Sequence, residues 1–186
     1  MPPKIKITKE EIIQAGLDLV RRGGDTALNA RNIAAALGCS TQPLFSNYAS
    51  MEELRSAVIV AAVAVYDRFA ADQVAACDAP AYKASGMAYI RFAKEERNLF
   101  SLLFMRDRAS REEAFEQRLF DEMGNLVQDY VGLESDRARL FHLEMWAFVH
   151  GIAAMMATGY LELDMELVSM MLTDAYQGLK QRFHKE

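Results

Sequence analysis

Thr41, Gln42, Ser46 and Asn47 lie within a seven-residue stretch and share one kind of chemistry. All four are short, uncharged side chains that exchange hydrogen bonds with the edges of nucleic-acid bases. Gln and Asn can pair with adenine, and Thr offers a hydroxyl or a methyl group. Residues suited to covalent or metal chemistry are scarce by comparison. The chain has three histidines (His142, His150 and His184) and two cysteines (Cys39 and Cys77). It contains no His-Glu-x-x-His, Cys-x-x-Cys, phosphate-cradling glycine loop or Gly-x-Ser-x-Gly. The Glu-x-x-His pairs that a di-iron bundle needs are missing too. The sequence therefore assigns no catalytic residue, metal ligand or cofactor, and points away from an enzyme.

The four polar residues need elements to aim them. Leu37-Gly38-Cys39-Ser40 reads as a tight connection between two short helices. Gly38 can take the left-handed conformation that ends the first helix, and Ser40 is placed to cap the second. Ile33, Ala34, Leu37, Leu44 and Tyr48 form an apolar set that would hold the pair at a steep angle over Ile12 and Leu17. This is the pattern of a helix-turn-helix, whose second helix enters the DNA major groove. Pro43 falls in that helix's first turn, where a missing N–H does no harm.

The rest of the chain also reads as helix. Thr8-Lys9-Glu10-Glu11, Ser50-Met51-Glu52-Glu53 and Ser110-Arg111-Glu112-Glu113 each place a hydroxyl three residues before a glutamate, the signature of a capping box. Nine helices are predicted: 9–22, 30–37 (capped by Asn29), 41–48, 51 into the seventies, about 80–94, 96–105, 111–131, 135–158 and 164–183. Lys94-Glu95-Glu96-Arg97 reads as a solvated junction between two of them. The fold class is all-α. A helix-turn-helix domain is expected over 1–50, and a helical ligand-binding and dimerisation domain over 51–186.

Hydrophobic residues make up 52% of the 186, enough for a sizeable core. Two cysteines are no disulfide framework, which suits a reducing compartment. The N-terminus lacks the apolar stretch of a signal peptide, and the longest apolar run, Ala57 to Tyr66, is too short to span a bilayer. A soluble, cytoplasmic protein without membrane contact is expected. The net charge of −5 gives little electrostatic support for DNA binding. It is unevenly distributed, however: seven basic and six acidic side chains through residue 60 give +1, leaving −6 for the remainder.

The stretch from Ile33 to Tyr48, with its Ile-Ala, Leu-Gly turn and aromatic Phe45 and Tyr48, is followed by Met51-Glu52-Glu53-Leu54. It resembles the DNA-binding domain of the tetracycline-repressor (TetR) family over about the first third of the chain. Trp146, followed by His150-Gly151, resembles the C-terminal ligand-binding type named for a tryptophan and a His-Gly pair. Two positions depart from the family's habit. Phe45 stands where a tyrosine is usual and Met51 where a lysine is usual, so a phenol and a cationic contact to phosphate are both forgone.

The resemblance implies a homodimer, packed through the eighth and ninth helices, that binds a palindromic double-stranded operator. A small apolar or cationic-amphipathic ligand would release it, acting through the fourth helix. Asn29, Arg31, Ser40, Thr41, Gln42, Pro43, Phe45, Asn47, Tyr48 and Met51 are expected at the DNA. Tyr89, Phe92, Phe100, Phe104, Trp146 and His150 are expected at the ligand. The surplus of apolar residues in the last two helices, including Phe148, Val149, Ile152, Met156, Val168 and Leu172, motivates the dimer. The competing readings are a helical small-molecule-binding dimer without DNA binding, and a helical-bundle enzyme.

Overall fold

The computed structural model describes residues 7–106 and 133–185, which contain helices and no strand. Its elements are α1 (Lys9–Gly23), a 3-10 turn (Asp25–Ala27), α2 (Ala30–Ala36), α3 (Gln42–Asn47), α4 (Met51–Ala75), α5 (Ala81–Glu95), α6 (Arg97–Phe104), α7 (Ser135–Ala157) and α8 (Met165–Lys185). The helix expected near 111–131, with its cap at Ser110, lies outside the described residues, as do Lys4 and Lys6. The chain divides into two compact units. One is Met1–Arg68 with Glu96–Met105, and the other is Phe69–Glu95 with Arg106–Glu186.

In the first unit the Thr8 capping box forms as expected. The Glu11 N–H donates to Thr8 Oγ1 at 3.2 Å, and the Thr8 N–H donates to Glu11 Oε2 at 2.8 Å. The helix it starts buries Ile12, Gly16, Leu17 and Val20 and ends at Gly24, whose φ of 68° needs glycine. Gly16 marks a close approach to α4: a Cβ there would stand 2.7 Å from Val58 Cγ2. Leu54, Val58, Ile59, Ala62 and Tyr66 are the buried residues of α4. The 3-10 turn is held to α4 by an ion pair between Asp25 and Arg55. Arg21 pairs with Glu96 at 3.0 Å, and Asn98 Nδ2 donates to the Arg21 carbonyl at 2.7 Å, so α6 is fastened to the end of α1. Glu96 therefore has a partner in this unit, and the junction around it is not merely solvated.

In the second unit, contacts fix the directions of the helices. Tyr82 and Tyr89 of α5 meet His142 and His150 of α7 in the same order, so these helices run parallel. Lys83 meets Thr173 and Lys94 meets the Leu163 carbonyl, so α8 runs antiparallel to α5. Arg137 donates to the Phe183 carbonyl at 2.6 Å and Arg182 pairs with Glu144 at 2.8 Å, closing α7 and α8 into a hairpin. Phe141, Met145, Ala138 and Phe183 form a core cluster against which Tyr82 and Tyr176 pack. Much of the apolar surplus expected at a dimer interface is core instead: Val149, Ile152, Met156, Val168 and Leu172 are buried. Phe148 remains exposed, together with Leu140, Leu143, Leu167 and Met170. Residues Asp136–Ala157 form one helix long and apolar enough to cross a membrane by length and composition, a stretch the ten-residue run at 57–66 did not reveal. Its 0%-exposed Phe141 and Ala153 are the core side of a packed helix.

Candidate functional site

The helix-turn-helix is built locally. Asn29 caps α2, its side chain accepting from the Asn32 N–H at 3.0 Å. Ile33 and Ala34 face inward, and the chain then turns through Gly38 at φ 64°. Two backbone bonds close that turn, Gly38 N–H to Ala35 O at 3.2 Å and Cys39 N–H to Ala34 O at 2.9 Å. The expected cap at Ser40 does not form. Thr41 is the N-cap of α3, in a helical conformation and with no side-chain cap bond, because Pro43 in the first turn leaves fewer N–H groups to satisfy. Leu44 and Tyr48 anchor α3 in the core, at 0% and 4% exposure.

The polar side chains expected at the DNA separate into two groups. Arg31, Ser40, Gln42, Phe45 and Ser46 are exposed, while Thr41, Pro43 and Met51 are half-buried. Ser46 Oγ donates to the Gln42 carbonyl at 3.0 Å. Asn47 is turned inward: its Nδ2 donates to the Pro43 carbonyl at 2.8 Å and to the Ile7 carbonyl at 3.4 Å. The first of these closes within α3, and the second is a longer contact to the segment ahead of α1. Asn29 is likewise occupied, as the α2 cap. Tyr48 lies in the core, with Lys9 Nζ 5.0 Å from its ring centroid. Its buried hydroxyl has no hydrogen-bond partner among the described residues. Burial, with the carboxylates of Glu10 and Glu53, raises its pKa. Met51 opens α4 just after Ser50, whose hydroxyl accepts from the Glu53 N–H at 3.2 Å.

The residues expected at a ligand fall in both units. In the second, Tyr89, Trp146 and His150 come together. Tyr89 Oη lies 2.9 Å from His150 Nδ1, and the Trp146 indole stacks on the imidazole at 4.9 Å with planes 12° apart. Trp146 and His150 sit one turn apart on α7, which brings their rings onto one face. Phe92 is fully buried in the same unit, edge-on to Phe69 at 5.3 Å. Phe100 and Phe104 belong to the first unit, where they pack on each other and Phe104 meets Tyr66 at 5.1 Å. The sequence pattern did not single out the second Tyr–His contact, Tyr82 Oη to His142 Nδ1 at 3.1 Å. Its signal was the repeat of a tyrosine seven residues along α5 and a histidine eight along α7. Burial lowers the His142 pKa, and burial together with Tyr176 raises that of Tyr82. Among the described residues no three His, Cys, Asp or Glu side chains converge on a possible metal position.

Comparison with known proteins agrees with this architecture. The sequence matches the family described as tetracyclin repressor-like, C-terminal domain, over residues 82–175, which is 94 of the 186. Among solved structures, a TetR-like transcriptional regulator from Rhodococcus sp. RHA1 superposes with a TM-score of 0.67 at 16% identity, covering 96% of this chain and 98% of that one. A TetR-family member from Streptomyces coelicolor A3 gives 0.62 at 19% identity, covering 90% and 96%. The sequence matches none of the curated proteins compared with it. The family match over half of the chain, joined to a helix-turn-helix at its N-terminal end, shows that the chain belongs to the tetracycline-repressor-like family of transcriptional regulators.

Proposed function

We propose that this regulator is a homodimeric repressor that reads a palindromic double-stranded operator and releases it on binding a small molecule. In this reading residues 1–50 contact DNA, and residues 51–186 bind the ligand and dimerise. The observation that carries it is the α2–turn–α3 geometry, with Gly38 at positive φ and Gln42, Phe45 and Ser46 on the outer side of α3. Exposed Leu140, Leu143, Phe148, Leu167 and Met170 on α7 and α8 supply an apolar surface for a second copy. The Tyr89, Trp146 and His150 rings suit a flat apolar molecule or an organic cation. A ligand preferring a state that α4 cannot match to two half-sites would weaken DNA binding, and by linkage DNA would weaken the ligand equally.

The test is a gel shift of the full chain on its own upstream DNA and on a scrambled duplex at fixed salt. Preference for one duplex, reduced by about 1–3 kcal/mol in Gln42→Ala, is the expected result. Equal affinity for both duplexes refutes the DNA reading. Trp146 is the only tryptophan, so its emission reports on ligands directly. Unchanged emission across a panel of apolar compounds and organic cations refutes its place at the ligand.

A further inference from the structure

We infer that Phe45 is a base-reading residue whose ring packs on the 5-methyl group of a thymine in the major groove. The inference rests on the DNA-binding reading above and deepens it. α3 is short, and its side chains leave few groups to face outward. Leu44 is buried, and Asn47 Nδ2 donates to the Pro43 carbonyl and approaches that of Ile7. The Ser46 hydroxyl proton goes to the Gln42 carbonyl. Beside Ser46 and the half-buried Thr41, the outer stripe carries the exposed Gln42 side chain and, one turn on at i+3, the Phe45 ring at 47% exposure, the one large apolar group there.

A phenyl ring in that position has no hydrogen to give a phosphate, so it cannot serve as a hydrogen-bonding backbone anchor. The feature of the groove that an apolar surface can recognise is the thymine methyl, which distinguishes thymine from every other base. Gln42 beside it can pair with an adenine edge. Together the two side chains specify an A·T-containing step in each half-site, with the methyl contact supplied by a residue that offers no hydrogen bond at all.

The experiment removes the methyl and nothing else. Duplexes are selected from a random-sequence pool by the full chain, and each thymine of the winning sequence is then replaced by uracil, one position at a time. For the wild type, one position per half-site loses about fourfold in affinity, the factor that corresponds to one buried methyl, and replacing both half-sites loses about fifteenfold. In Phe45→Ala the same replacement changes nothing, while Phe45→Leu retains part of the effect. A ring that merely held α3 in place would weaken thymine and uracil duplexes by the same factor and leave their ratio intact, which overturns the proposal. So does a wild type indifferent to uracil at every position. A pool in which no sequence is enriched overturns the DNA-binding reading as well, so the two failures are distinguishable.

Discussion

Replacing Asn47 with alanine separates a bracing role from a reading role. By residue type Asn47 is a candidate to pair with adenine, but its Nδ2 already donates to Pro43 O at 2.8 Å and Ile7 O at 3.4 Å. The first distance is that of an ordinary hydrogen bond, and the second lies beyond the usual range. Counting one full bond, its loss costs about 0.5–1.5 kcal/mol of stability. In a protein of this size that lowers the melting temperature by about 1–6 °C. Urea unfolding followed by circular dichroism measures it as a lower midpoint at unchanged slope. Loosened α3 weakens cognate and scrambled DNA together, so the ratio of the two affinities stays put. A side chain that read a base would do the reverse: stability would hold, and only the cognate affinity would fall, by about 1–3 kcal/mol. That second pattern, a tenfold or greater loss confined to the cognate duplex in a variant of wild-type stability, refutes the bracing assignment.

Four further perturbations have defined outcomes. Tyr48→Phe deletes a buried hydroxyl that has no partner among the described residues, so unfolding midpoints should rise or hold while DNA affinity is unchanged; a weaker complex would mean that the hydroxyl reaches the phosphate backbone. Met51→Lys adds a cation in the first turn of α4 and should tighten binding to any duplex, steepening the log–log salt dependence by about 0.9; an unchanged slope would show that position 51 does not face the backbone. Gly16→Ala gains about 1 kcal/mol of helix propensity but drives a methyl to 2.7 Å from Val58 Cγ2, which costs about 1–3 kcal/mol, so it should destabilise by up to about 2 kcal/mol net, and Val58→Ala should relieve the added strain in the double variant; a stabilised single variant would contradict the packing. Burial depresses the His142 pKa in the folded state, so the unfolded chain takes up the proton first; stability is complete above about pH 6.5 and declines as pH falls from there through the folded value, and His142→Phe should flatten that decline.

Local signals carried most of the helical framework. The Thr8 capping box, the Ser50 hydroxyl cap, the Asn29 cap and the Gly38 turn all rest on interactions within a few residues, and each was visible as a short pattern; at Ser50 the box itself does not close, because Glu53 accepts from the Ala49 N–H instead. Ser40 was misjudged because two hydroxyl residues precede Pro43 and the sequence alone does not say which one the helix uses. The inward placement of Asn47 and Tyr48 was not legible for another reason. Whether a polar group on α3 points to solvent or to the backbone depends on Ile7, 40 residues away, and on how deeply Leu44 seats the helix. The apolar surplus of the last two helices was real, but its division between core and surface is set by where α5 lies, which no periodicity within α7 or α8 encodes. Trp146 and His150 could be paired from their spacing, whereas the hydroxyls that meet His142 and His150 come from 60 and 61 residues upstream.

Those two hydroxyl–imidazole contacts limit how the second unit can move. The tyrosines are about 10.5 Å apart along α5 and the histidines about 12 Å apart along α7 at 1.5 Å per residue, so both contacts close in a single axial alignment of the two helices. Shifting α7 by one turn, about 5.4 Å, would set Ala138, Trp146 or Ala154 opposite the tyrosines, and none of these side chains accepts a proton. Both hydroxyl–imidazole contacts would be lost at once. The pair behaves like two pins through adjacent rods, which oppose lengthwise ratcheting. A lengthwise slide of α7 past α5 is therefore the one movement that would break both contacts together.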